Sequence, residues 1–575
     1  MTNHEERAGR ASSKPKRVLV LTLAAALLVP AGNTLLPATV QAESAVPSAG
    51  SAAPAEESSS WVPLRVIAEA LGARVDWEGA SRKVTVSRGK SVTSVWIDKD
   101  QAFLNGKESS LPGKVRLENG ATLVPLGFLR EALGVNFGWK GNVVIPEAQD
   151  LEAKAALFVN ELMHGRKDHL TAASTPALNQ ALTPMYAATW SAQLLPLLGE
   201  KTLLSSWETQ ENSVHTNLIL RYQTDQVPYP IEAIIRFSKA GLVDDFSFSQ
   251  ETAPSAHKPA SYDQSDSYTE REVVIGEGSL ALPGTLTVPK GDGPFPAVVL
   301  VHGSGPNNRD EEVGGAKVFK DLAGGLASRG IAVLRYEKVT REHPFKAGAQ
   351  EKFSLWEETG ADALQAASFL RGQKEVDANR IFLTGHSQGG YAAPLILERD
   401  EQKLFKGAVL LSAPSGNLMD VVVEQQEEAL RRLTETGQPE SLLQQQEQAV
   451  AAYKAIREQF KNPAYSKDQL PEQFPLGSPY WWFEQRDYMP AQKAKAQSVQ
   501  MLILAGENDW QVTLAQYEGW KEALKNRTNV EYRSYANVNH LLAVYDKLST
   551  GLEYGQSSNV SADIVRDVAE WVKTH

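Results

Sequence analysis

Apolar residues follow two rhythms along this chain, and the change of rhythm divides it. From about residue 268 to the end, short apolar runs at 297–302, 331–336, 380–384, 408–412, 501–505 and 530–535 read as buried strands. They alternate with stretches at 318–328, 359–371, 388–398, 515–525 and 562–573 whose apolar positions recur every three or four residues, as on one face of a helix. Such an alternation predicts crossover units in a mostly parallel sheet, an α/β fold, with 273–276 and 280–288 as an opening antiparallel pair. The rhythm breaks at about 414–498, where two long Gln/Glu-rich amphipathic helices at 418–435 and 442–460 precede Tyr480-Trp481-Trp482-Phe483. An insertion between two core strands predicts a helical lid. The four aromatics predict packing of that lid onto the core or, through Trp481 or Trp482, contact with a substrate.

Upstream, the segment Val62-Pro63-Leu64-Arg65-Val66-Ile67-Ala68-Glu69-Ala70-Leu71-Gly72 with Trp77 recurs as Val124-Pro125-Leu126-Gly127-Phe128-Leu129-Arg130-Glu131-Ala132-Leu133-Gly134 with Trp139. In each copy Pro opens a short helix, Gly ends it and a Trp-bearing strand follows. Two copies are too few for a solenoid and predict one small α+β module over 59–147. Residues 151–250 carry a helical pattern at 151–163 and strands at 214–222, 231–238 and 241–248, a second small α+β domain.

The pattern also locates the chemistry. Between the run at 380–383 and the helical stretch from Gly390 lies Thr384-Gly385-His386-Ser387-Gln388-Gly389. Gly-x-Ser-x-Gly between strand and helix is a nucleophile elbow, in which glycines at both ends let strand and helix approach a serine held in a sharp turn. The run at 297–301 leads into His302-Gly303-Ser304-Gly305-Pro306, a turn able to aim a backbone N–H at an oxyanion, so Ser304 and Gln388 are the expected donors. The strand at 501–504 ends in Ala505-Gly506-Glu507-Asn508-Asp509, which offers Glu507 or Asp509 as the acid. Of the ten histidines, His4, His164, His169, His215 and His257 precede this region and His575 ends the chain. His302 and His386 read as scaffolding of the turn and elbow, and His343 as a loop residue, leaving His540 as the base.

Cysteine is absent, which excludes disulfides, thiolate nucleophiles and cysteine-based metal sites. The formal net charge of −11 argues against nucleic acid or an anionic membrane as partner. Lys14, Lys16 and Arg17 precede an apolar run at 18–29, and Val40-Gln41-Ala42 ahead of Glu43 reads as a cleavage site, so 1–42 is an expected secretory signal peptide. A retained membrane anchor is the competing reading, opposed by Pro30 and Gly32, which break the run. The Ala/Ser/Pro/Glu-rich segment 43–58 is an expected disordered linker. No metal site and no organic cofactor is expected; His164 and His169 stand too far from other ligand types.

With turn, elbow, acid and base in this order, residues 268–575 resemble the EstD-type carboxylesterases of bacteria, within the α/β-hydrolases. The stretches from Leu300 to Glu311 and from Leu326 to Glu337 add to the likeness, while Val339 stands where the family more often has a basic residue. The resemblance implies a nucleophile at Ser387, a base at His540 and an acid at Asp509 rather than Glu507. It further implies hydrolysis of short to medium acyl esters through an acyl-serine intermediate. The lack of cysteine separates the chain from dienelactone hydrolases of the same fold. Residues 59–147 resemble the copper amine oxidase N-terminal-like domain of exported Gram-positive proteins; that implies a secreted or cell-surface location and an envelope-attachment or spacer role, with an inert structural cap as the alternative, although no His or Cys lies between Ser59 and Asp150 to bind copper. The expected architecture is an α/β-hydrolase with a helical lid, preceded by two small α+β domains. Competing functions are a serine peptidase or amidase, an acyltransferase, and a cell-surface binding protein with a vestigial hydrolase domain.

Overall fold

The computed structural model describes residues 60–199, 201–250 and 256–575. The expected signal peptide at 1–42 and linker at 43–58 lie outside the described residues. In the first module the two copies of the repeat pair with each other. Strand Trp61–Pro63 runs antiparallel to Ala121–Pro125 with Val62 opposite Val124, so equivalent residues meet at a local pseudo-twofold. Each strand passes directly into its helix, Leu64–Ala70 or Leu126–Leu133, whose inner face is buried. A five-stranded antiparallel meander from Arg74 to Ser110 completes the core.

Arg88 of that meander is 2 % exposed and explains how both helices end. Its Nε donates to Leu71 O at 2.8 Å and its Nη1 to Leu133 O at 2.9 Å, so one guanidinium satisfies the C-terminal carbonyls of both repeat helices. The same side chain pairs with Glu152 and lies over the Trp207 ring of the next domain, 4.8 Å from its centroid.

That second domain packs helix Leu151–Met163, capped by Asp150, against a four-stranded antiparallel sheet. Strands Thr216–Gln223, Ile231–Phe237 and Val243–Gln250 lie where the alternation predicts them. The edge strand Leu203–Glu211 and the helices Lys167–Ala173, Pro176–Ala181 and Pro184–Leu198 are additional. The edge strand turns most of Ser206 to Glu211 to solvent, which leaves too few apolar positions for a period of two.

The third unit carries an eight-stranded sheet. Numbered along the chain, its strands are β1 Tyr268–Ile275, β2 Leu282–Pro289, β3 Phe295–Val301, β4 Ala332–Tyr336, β5 Val376–His386, β6 Gly407–Leu411, β7 Gln500–Gly506 and β8 Val530–Tyr535. The spatial order is 1-2-4-3-5-6-7-8; β1–β2 and β2–β4 are antiparallel and every later pair is parallel. Ala297 through Val301 are all fully buried, because helices cover both faces of the sheet. Between β6 and β7 the chain leaves the sheet for helices Leu418–Glu435, Glu440–Lys461, Pro479–Glu484 and Pro490–Ala494, the expected insertion.

The second and third units meet along residues 339–348. His343, expected in a loop, is fully buried between the short helices Val339–Glu342 and Pro344–Gly348. Phe345 enters the second domain's aromatic core, 4.6 Å from the Phe246 centroid. Burial of such a ring contributes about 2–3 kcal/mol. Asp245 accepts from the N–H groups of Phe345 and Lys346, each at 3.0 Å.

Candidate active site

At the C-terminal end of β5 the chain turns into helix Gln388–Arg399 through Ser387, whose φ of 51° lies in the left-handed region. A serine is strained there, and the surrounding packing holds it. A Cβ on Gly385 would stand 2.4 Å from Gly389 C, and one on Gly389 would stand 2.0 Å from Val301 O. No side chain fits at either place, so the two glycines of the motif are required by contact between backbones.

The elbow presents Ser387 Oγ to His540 Nε2 at 3.1 Å, and His540 Nδ1 stands 2.8 Å from Asp509 Oδ2. Because the carboxylate accepts only, the proton sits on Nδ1, and Nε2 is left to accept from the serine. Asp509 is itself held: its Oδ1 accepts from the N–H groups of Gln511 at 2.8 Å and Val512 at 2.9 Å. Glu507, the alternative acid, is exposed and accepts from Ser534 Oγ at 2.7 Å, away from the histidine. Ser387, His540 and Asp509 are 6, 3 and 1 % exposed, so the line of hydrogen bonds works in a poorly hydrated place where each bond is electrostatically strong.

Both expected donor residues adjoin this line. Gln388 is the first residue of the helix after Ser387. Ser304 follows Gly303, and a Cβ on Gly303 would lie 3.3 Å from Ser387 Cβ, so the turn sits directly against Ser387. Gly303 N–H is already taken by Glu311 Oε1 at 2.6 Å and is not itself such a donor.

Three supports surround this line, and the sequence marks only His386 among them, as scaffolding of the elbow. The first is the pair of Glu311 and His386, both buried, with Glu311 Oε2 3.1 Å from His386 Nδ1. The angle is off that of a hydrogen bond, leaving a contact ion pair. Burial opposes the charge on both, yet the pairing wins: His386 titrates above its ordinary value and Glu311 below. His386 Nε2 donates to His540 O at 2.9 Å and so braces the backbone at His540. His302, pushed down to about 4 by burial, is neutral and donates to Asn308 O at 3.2 Å.

The second support is Arg432, 5 % exposed on helix Leu418–Glu435. Its guanidinium donates to Asn508 O at 2.8 Å and to Asp509 O and Ser549 O at 3.1 Å each, so the insertion grips the loop that carries Asp509. The third is Lys338 with Glu358, buried behind the Gly303 turn. Trp481 and Trp482 are each 1 % exposed. Trp482 donates to Leu476 O and packs with Phe460 and Phe474 inside the insertion, whereas Trp481 donates to Glu358 Oε2 at 2.7 Å. These contacts match the packing role expected of the aromatic run.

One group of ligand-type side chains lies elsewhere. Ligating atoms of His215, Asp244 and His343 fall within 4.8 Å of one another at the junction of the second and third units. His215 meets Glu342 Oε1 at 2.6 Å and Asp244 Oδ2 at 2.9 Å, while Lys346 Nζ stands 2.5 Å from the same Asp244 oxygen. An ammonium and an imidazolium already neutralise this carboxylate, so the group is a buried ion-pair cluster in which a metal cation would meet positive charge.

Residues 293–546 match the family described as serine aminopeptidase, S33, and residues 44–145 match the copper amine oxidase N-terminal domain. Esterase EstD of Thermotoga maritima is 34 % identical over 343 residues, 60 % of this chain and 76 % of the esterase. Among solved structures, Est1E from Butyrivibrio proteoclasticus is 16 % identical with a TM-score of 0.32, covering 53 % of this chain and 96 % of its own. The Pyrococcus horikoshii acylaminoacyl peptidase is 13 % identical with a TM-score of 0.34, covering 85 % and 70 %. A serine elbow on a sheet of order 1-2-4-3-5-6-7-8 and the extent of the match to the Thermotoga enzyme lead to one conclusion: the chain belongs to the EstD esterase family, serine ester hydrolases of α/β-hydrolase fold.

Proposed function

We propose that the protein is an exported carboxylesterase that hydrolyses short to medium acyl esters through an acyl-Ser387 intermediate. The observation that carries this reading is the line from Ser387 Oγ through His540 to Asp509, with separations of 3.1 and 2.8 Å. In the proposed reaction His540 takes the Ser387 proton as Oγ attacks the ester carbonyl. Asp509 holds the imidazolium that forms, and the N–H groups of Ser304 and Gln388 receive the oxyanion. His540 then protonates the leaving alkoxide, and water repeats the sequence on the acyl-serine. The low exposure of Ser387, 6 %, supports a preference for small acyl groups. Export rests on the basic and apolar leader at 1–42, and attachment to the envelope of a Gram-positive cell rests on the N-terminal repeat module.

Amide cleavage is the second reading, favoured by the match of residues 293–546 to serine aminopeptidases. Hydrolysis of a p-nitrophenyl ester series, beside aminoacyl p-nitroanilides and with Ser387→Ala as control, separates the two. The expected result is ester turnover that declines with acyl length and falls by roughly a million-fold in the variant. Faster turnover of the anilides would replace the esterase reading with a peptidase.

A further inference from the structure

Lys338 takes no part in the chemistry above, yet it is 2 % exposed just beyond the end of β4. Its Nζ donates to Gly303 O at 2.8 Å and to Gln388 Oε1 at 3.0 Å, and pairs with Glu358 Oε1 at 2.7 Å. Glu358 in turn accepts from Trp481 Nε1 at 2.7 Å and from Gln388 Nε2 at 3.4 Å. Asp362 also faces the ammonium, but burial pushes its carboxyl up to about 8, so at neutral pH Glu358 is the counter-ion.

The partner that matters is Gly303 O. It belongs to the same peptide group as the Ser304 N–H, and that peptide is trans, so the two bonds point in opposite directions. A cation fixed on the oxygen does two things to the N–H. It sets the plane of the peptide, and by drawing electron density toward the oxygen it makes the N–H a stronger donor. Asn307 Nδ2 adds a bond to Gly303 O at 3.1 Å and one to Ser304 O at 3.0 Å, while Glu311 holds Gly303 N–H. The Lys338 ammonium also holds the side chain of Gln388, the residue expected to give the second donor.

We propose that Lys338 is a positioning residue for ester hydrolysis: anchored by Glu358, and through it by Trp481 of the insertion, it aims and polarises the peptide whose N–H receives the oxyanion. The inference rests on the reading of Ser387 as nucleophile and Ser304 as oxyanion donor. A purely structural ion pair would affect folding and substrate affinity but would not single out the tetrahedral state.

The test uses the full-length protein and p-nitrophenyl butyrate. Loss of Lys338 alone leaves the Glu358 carboxylate buried and unpaired, so the informative variant is Lys338→Met with Glu358→Gln, which removes both charges and keeps an acceptor for Trp481. Turnover is counted per folded molecule by near-ultraviolet circular dichroism, with Lys338→Arg and Ser387→Ala alongside. The expected result is a fall of about ten- to a hundredfold in kcat with KM nearly unchanged. Affinity for a trifluoromethyl ketone, which forms a tetrahedral adduct, should weaken in proportion, and Lys338→Arg should recover part of both. Retained kcat, or a loss carried by KM alone, would overturn the role of Lys338 while Ser387→Ala stayed inactive. Activity in Ser387→Ala would instead overturn the reading of the site on which the inference rests.

Discussion

Two buried histidines in this chain contact carboxylates at nearly the same distance, and only one is arranged to act as a base. His540 Nδ1 is 2.8 Å from Asp509, and His215 Nε2 is 2.9 Å from Asp244. The difference lies at the other nitrogen. His540 Nε2 meets the Ser387 hydroxyl, which can donate, whereas His215 Nδ1 meets a second carboxylate, Glu342, at 2.6 Å. Both nitrogens of His215 must therefore carry protons, and the ring has no lone pair to offer. Burial alone would lower its pKa, but the two carboxylates raise it above the ordinary value. A histidine–aspartate contact in the interior is thus not a signature of catalysis; the partner of the second nitrogen decides.

The sharpest way to break the comparison is to make Asp509 unable to hold its tautomer. Asp509→Asn should lower kcat by about 10⁴-fold with little change in melting temperature, whereas Glu507→Gln should leave kcat within about twofold. Equal losses in the two would return the acid to an open question. At the other histidine the effect moves from rate to stability. His215→Gln leaves two carboxylates facing each other in the interior and should cost about 3–5 kcal/mol in urea denaturation, with kcat per folded molecule unchanged at 25 °C. A loss of turnover without a loss of stability would contradict the division drawn here.

The smallest expected effect is on pH dependence. The pKa of His215 is raised above 6.5, so its contribution is complete below that value and drains away as pH rises through the raised folded-state value. Glu342 opposes burial through its bond to His215 and is held down to about 2; its contribution is complete above 4.5 and is lost as pH falls through about 2. These are two views of one ion pair, at full strength between 4.5 and 6.5. Urea midpoints of the parent protein should decline on the alkaline side, and His215→Gln should remove part of that slope. His386, raised likewise, contributes equally to both proteins, so their difference isolates His215. Parallel slopes would show that His215 does not carry the charge assigned to it.

How much of this was readable beforehand depends on the range over which each interaction acts. Gly385, Ser387 and Gly389 were legible because the elbow places its steric demands within five residues, and β3 and β5 because a sheet covered on both faces writes unbroken apolar runs. The choice of Asp509 over Glu507 came only from family resemblance; two carboxylates two residues apart differ in direction, which a linear pattern does not encode. Nothing local marks Lys338 or Arg432, the latter inside a Gln/Glu-rich helix, because the carbonyls they bind lie 35 or more residues away. The His215 cluster draws Glu342 from 127 residues further on, and nothing local marks either end.

Arg432 gives the insertion a consequence for redesign. Exchanging residues 414–498 for a shorter cap would strip Asn508, Asp509 and Ser549 of the guanidinium that holds their carbonyls together. The insertion and the loop that carries Asp509 are therefore not separate modules in this protein. A library that varies the cap has to keep an arginine at this position, or supply new donors to the same three carbonyls, before any selection for new esters can begin.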